Sequence, residues 1–116
     1  MGKNYPDIIG SLTKPMRDLH QGMPKVMKGF GALADNAKAS GVLDAKTKEL
    51  IAMGISIALR CDGCIGFHTR GAIRHGASRE EFMEMIGVAI MMGGGPSTVY
   101  GAYALEAFDQ LTATAG

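Results

Sequence analysis

Both cysteines of the chain lie three apart in Cys61-Asp62-Gly63-Cys64, and His68 follows four residues after the second. On a helix, residues 61, 64 and 68 stand at i, i+3 and i+7 and share one face, while residues 64 and 68 form an i, i+4 pair whose side chains can touch. A thiol and an imidazole then sit within reach of each other. If the pair opens the helix, the unsatisfied first-turn amides and the positive end of the helix dipole favour thiolate over thiol, and the imidazole takes the proton. Cys64 gains most from that base and is the expected attacking thiol. Cys61, one turn earlier at the helix start, is placed to attack a sulfenate or mixed disulfide on Cys64 and close the ring as the resolving thiol.

Such a base needs an orienting partner, and Glu49 stands twelve residues before Cys61. It lies in a proline-free segment, Ala45 to Arg60, that follows a good N-cap in Asp44 and carries Leu50, Ile51, Ile55, Ala58 and Leu59. A long buried helix is the simple reading. If that helix turns back near residue 60 into an antiparallel hairpin, Glu49 comes level with about residues 69 to 72, roughly one turn from His68 at about 1.5 Å per residue. A direct bond or one bridging water is then expected. Without the hairpin, Glu49 reads as a solvated residue beside Lys46 and Lys48.

The remaining elements also read as helices. Ala (15) and Met (9) are abundant, Val (4) is scarce and Trp is absent, and few windows alternate as a half-buried strand does, so the fold class is all-α. Ile8, Ile9, Leu12, Met16 and Leu19 predict a short first helix, kinked or broken at Pro15. A second starts near Met23 with Pro24 at its first position and runs to about Ala39, capped by Gly41. A fourth spans about Asp62 to His75 and stops at Gly76. Ser78 with Glu81 forms a capping box that opens a fifth helix through Phe82, Met85, Ile86, Ala89 and Ile90. Gly93, Gly94 and Gly95 end it, and Pro96 restarts a last helix carrying Val99, Tyr103, Leu105 and Phe108.

At 116 residues the chain is one ordinary domain, too short for two with separate cores. Lys plus Arg number 12 against 11 Asp plus Glu, so no basic field holds nucleic acid or an anionic membrane surface. No apolar run approaches the roughly 18 to 20 residues that span a bilayer, and the N-terminus has no apolar stretch of signal-peptide length, so a soluble, cytoplasmic chain is expected. Yet 47 % of the residues are hydrophobic and 17 more are Gly, a surplus for a domain of this size. A small monomer covers such a surplus poorly, which predicts a homo-oligomer with helix-on-helix interfaces.

The series Glu49, eleven residues, Cys61, two residues, Cys64, three residues, His68 resembles the core of the AhpD-like alkylhydroperoxidases within the carboxymuconolactone decarboxylase superfamily. The similarity covers most of residues 44–110, including the His75-Gly76-Ala77-Ser78 elbow and the Gly-Gly-Gly-Pro entry to the last helix. Residues 1–40 carry little of it. The resemblance implies one AhpD-like domain over residues 1–116, a bundle of about six helices around a central antiparallel helix hairpin, assembled as a trimer or hexamer. It implies a thiol-dependent peroxidase or disulfide oxidoreductase that reduces hydroperoxides, with Cys64 peroxidatic, Cys61 resolving, and Glu49 and His68 relaying the proton. A lipoyl-bearing or thioredoxin-like protein dithiol would be the reductant, with no bound cofactor and no metal. Gly63 stands where well-studied members can carry a second histidine, and those members are longer, with a duplicated helical unit.

Two rival readings stand beside this one. Cys61, Cys64 and His68 are three soft ligands, so a non-catalytic zinc-binding or redox-sensing module is conceivable, although no second Cys-x-x-Cys completes a closed tetrahedron and His75 lies a further turn away. The decarboxylase branch of the superfamily lacks the cysteine pair, and its small-molecule reaction would leave Cys61 and Cys64 without a role. His20 reads as a surface residue and His75 as a cation favoured at a helix C-terminus. Met83, Met85, Met91 and Met92 read as flexible packing in helix interfaces, and Lys25 and Lys28 as a solvated face.

Overall fold

The computed structural model describes residues 2–115. Six helices follow one another along them: α1 (Tyr5–Gly22), α2 (Pro24–Lys38), α3 (Ala45–Leu59), α4 (Asp62–Arg74), α5 (Arg79–Gly93) and α6 (Gly95–Ala115). Among the described residues there is no strand, and the all-α expectation holds. Local chemistry sets most of the boundaries. Asn4, Asp44 and Ser78 each cap a helix by accepting from the amide three residues on, and Ser78 with Glu81 forms the reciprocal capping box. These contacts satisfy amides that the first turn otherwise leaves open. Gly94 serves two helices at once, its amide donating to Ile90 at the end of α5 and its carbonyl accepting from Ser97 at the start of α6. Its φ of 69° favours glycine there.

Three local expectations need correction. Proline does not break the first helix, which continues through Pro15 for 18 residues. Pro15 removes one intrahelical donor, but Ser11 and Pro15 are both exposed, so water can take the freed Ser11 carbonyl. Gly41 does not cap α2, because Ala39 already leaves the helix with an extended backbone. In α3 the inner face consists of Glu49, Met53, Ser56 and Ile57, whereas Ile51, Ile55 and Leu59 are exposed.

Helices α3 and α4 form the expected antiparallel hairpin. Only Arg60 and Cys61 separate them, and Arg60 takes a left-handed conformation with φ 56°. The Arg60 amide donates to Ile57 and the Cys61 amide to Ser56, closing the end of α3 within that turn. Behind the hairpin lies the core, where Met53, Ile57, Ile65 and Ala72 meet Phe82, Ile86, Ala104 and Phe108 from α5 and α6. The Phe82 and Phe108 rings lie 4.9 Å apart. Tyr5 joins that core from α1, and Ile9 and Leu12 of α1 lie directly over the α4 backbone at Gly66 and Gly63. No residue of α2 is buried, and its Val26, Phe30 and Leu33 face outward.

Candidate functional site

Cys61 is the N-cap of α4, and its Sγ accepts from the Cys64 amide at 3.2 Å. Its sulfur therefore sits at the positive end of the helix, where a thiolate is favoured. Cys61 and Cys64 are joined as a disulfide with their Cα atoms 5.2 Å apart. Both are partly buried. His68 follows one helical turn after Cys64 on the same helix.

The hairpin carries Glu49 to His68 directly, without a bridging water. Glu49 Oε2 lies 3.1 Å from His68 Nδ1, and the carboxylate is 5 % exposed while the imidazole is partly open. A carboxylate oxygen accepts, so Nδ1–H donates to Oε2, and Nε2 is the ring nitrogen that Glu49 does not engage. The carboxylate needs room to reach that far, and Gly71 supplies it: a Cβ at this position would run into Glu49 Oε2. Of the four residues singled out from spacing, Glu49 and His68 are in direct contact and Cys61 and Cys64 are bonded to each other, with one turn of α4 between Cys64 and His68. Gly71, which the spacing did not mark, completes the support.

A second cluster holds Asp62, one of the two residues between the cysteines. Asp62 pairs with Lys3 Nζ at 2.8 Å and accepts from the Tyr5 hydroxyl at 3.1 Å. Lys3 Nζ also lies 4.4 Å from the Tyr103 ring centroid and 5.0 Å from that of Tyr100. Gln110 fixes the segment from α6, its side chain accepting from the Tyr5 amide and donating to the Lys3 carbonyl. The hydrogen bond to Asp62 raises the Lys3 ammonium above its ordinary pKa, and burial, reinforced by the Asp62 charge, raises the Tyr5 hydroxyl. Lys3 and Tyr5 lie more than fifty residues from Asp62 in sequence, and no local spacing signals the contact.

Among the described residues no three His, Cys, Asp or Glu side chains gather as a metal ion would require. No helix among them is long and apolar enough to cross a membrane.

The sequence profile of the carboxymuconolactone decarboxylase family matches residues 24–107. The chain belongs to that family. Its carboxymuconolactone decarboxylase fold is shared with a family protein from Legionella pneumophila, solved in its apo form, at 45 % identity and a TM-score of 0.91 over 93 % of this chain and 96 % of that one. A Thermotoga maritima family protein, described as a candidate for involvement in antioxidative response, superposes with a TM-score of 0.72 at 34 % identity, over 77 % of this chain and 92 % of its own. An uncharacterized protein of Cupriavidus necator is 42 % identical over 105 residues, 90 % of this chain and 93 % of that one. Family membership accounts for the six-helix architecture.

Proposed function

We propose that the protein is a thiol-dependent peroxidase that reduces hydroperoxides through Cys64 and Cys61. The observation that carries this reading is the Glu49–His68 bond, which pins an imidazole one turn from a cysteine pair already close enough to form a disulfide. In the reduced protein His68 Nε2 takes the Cys64 proton. The Cys64 thiolate attacks the terminal peroxide oxygen, the O–O bond breaks, and the alkoxide takes the proton from His68 and leaves as the alcohol, with a sulfenic acid remaining on sulfur. Cys61 attacks that sulfur as a thiolate, the S–O bond breaks, and the hydroxide leaves as water with the proton that Cys61 gave up. The product is the Cys61–Cys64 disulfide, and two electrons have passed to the peroxide. A protein dithiol, lipoyl-bearing or thioredoxin-like, restores the thiols by exchange. Supply of such dithiols fits work in the cytosol. The antioxidative role suggested for the Thermotoga relative agrees with this reading, and decarboxylation would leave the cysteines idle.

The working unit in this reading is a homo-oligomer, a trimer or hexamer. The chain exposes 7152 Å², whereas a monomer of 12.2 kDa exposes roughly 6,100 Å². The excess of about 1,000 Å² is comparable to one partner's share of a stable interface. Val26, Phe30 and Leu33 on α2 and an apolar groove of 510 Å³ between α3 and α5 supply candidate contacts.

Peroxide consumption with dihydrolipoamide as donor tests the chemistry. Wild type turns over. Cys64→Ser does not, and Cys61→Ser, given peroxide with no donor present, consumes one equivalent and stops with a dimedone-reactive sulfenate on Cys64. Retention of turnover by Cys64→Ser would overturn the assignment.

A further inference from the structure

Downstream of the cysteines, a cavity of 310 Å³ opens against α4, and its lining is strongly basic. Lys38, Arg70, Arg74 and His75 border it together with Glu49 and His68. Lys3, Lys14, Lys46 and Arg79 each pair with a carboxylate, but among the described residues Lys38, Arg70 and Arg74 form no ion pair. Glu49 is the only carboxylate in the lining, and it is engaged by His68. Three permanent cations and two imidazoles thus surround one acid that is already bonded.

The basic groups are also arranged for use. The Arg70 guanidinium lies 5.4 Å from the Phe67 ring centroid, a stacking that steadies the group while leaving its edge donors open to a planar, two-oxygen acceptor. Cys64, His68 and Gly71 recur at four and three residues and share one side of α4, while Arg70 stands about 120° round the helix from Cys64 at about 3.6 residues per turn. Measured along the helix axis at about 1.5 Å per residue, Arg70 stands about 9 Å and Arg74 about 15 Å beyond Cys64. A ligand held at Arg70 must span that distance past His68 to reach the sulfur, which does not itself line the cavity.

We propose that this cavity binds the carboxylate of the oxidising substrate, so that the protein acts on anionic hydroperoxides or disulfides in preference to neutral ones. The proposal rests on the thiol chemistry given above and adds the substrate class. With a disulfide as oxidant, the Cys64 thiolate attacks one sulfur, the substrate S–S bond breaks, and one substrate thiolate leaves. The Cys61 thiolate then attacks Cys64 and expels the second thiolate, so two electrons reach the substrate and the protein disulfide forms.

Two measurements separate the cavity from the thiol chemistry. Benzoate titrated onto the oxidised protein, at ionic strength held constant with chloride, should shift the backbone amide resonances of Arg70 and Arg74, and the Arg70→Gln, Arg74→Gln double variant should lose the saturable response. No saturable shift, or the same shift in the variant, would overturn the proposal. The reduced protein is then mixed with dithiobis(nitrobenzoate), which carries carboxylates, and with neutral dithiodipyridine. The preference for the anionic probe should fall about tenfold in the double variant, the scale of local electrostatic steering, and an unchanged preference would overturn the proposal. Saturable benzoate binding, with a dithiodipyridine rate no faster than that of free cysteine, would uphold the cavity and overturn the thiol-peroxidase reading instead.

Discussion

Glu49 and Gly71 face each other across the α3–α4 hairpin so closely that even a methyl group at position 71 would displace the carboxylate from its place beside His68. Glu49 is almost fully buried, and a buried carboxylate is tolerated when it is hydrogen-bonded. Gly71→Ala is therefore expected to imitate Glu49→Gln. Both should slow alkylation of reduced Cys64 by tenfold to a hundredfold, on the order of a lost positioned base, while the helical circular dichroism is retained. Wild-type rates in both variants would remove Glu49 from the proton relay.

Lys3 and Tyr5 give the protein an alkaline limit. Both hold their protons in the folded state above the values at which the unfolded chain releases them, 10.5 for Lys3 and 10.0 for Tyr5. Their contribution is complete below those values. As pH rises past them the unfolded chain binds fewer protons than the folded one, and stability falls. Melting temperature should decline steadily above about pH 10. Tyr5→Phe should flatten part of the decline and cost about 1 to 2 kcal/mol at neutral pH through the lost bond to Asp62. An identical alkaline slope in Tyr5→Phe would exclude Tyr5 as a source.

Assembly can be read from mass. Light scattering should give a species several times 12.2 kDa. Phe30→Asp on α2 or Leu59→Asp beside the α3–α5 groove should lower it, because a charge buried in an apolar interface is costly. A wild-type protein that runs as a single chain at all concentrations would refute the oligomer.

Ser78→Ala provides a control far from the sulfurs. It removes the acceptor for the Glu81 amide and should cost about 1 kcal/mol. Urea midpoints should shift, while the alkylation rate of Cys64 stays at the wild-type value.

What was legible before folding was local. The shared helical face of Cys61, Cys64 and His68 follows from a fixed period of rotation along one helix, and the Asp44 and Ser78 caps depend on residues three apart. The Glu49–His68 contact was legible one step further out, because a turn too short to do anything but reverse the chain leaves little freedom in register. At Pro15 the helix does not break, because a missing donor disrupts a helix only where its partner carbonyl has no other recourse, and that depends on exposure.

Only the tertiary structure decided which face of α3 turns inward. Leu50, Ile51, Ile55, Ala58 and Leu59 read as a helix buried throughout, yet Glu49, Met53 and Ile57 are enclosed, Leu50 packs only partly against the core, and Ile51, Ile55 and Leu59 are exposed, because a bonded carboxylate and a close-packed hairpin outweigh a simple count of apolar residues. The same holds for Lys3 and Tyr5 against Asp62 and for the gathering of Lys38, Arg70 and Arg74 around one cavity. Residues far apart in the chain, or on separate helices, meet through the packing of whole elements, and that packing is a sum over many weak contacts that no short spacing records.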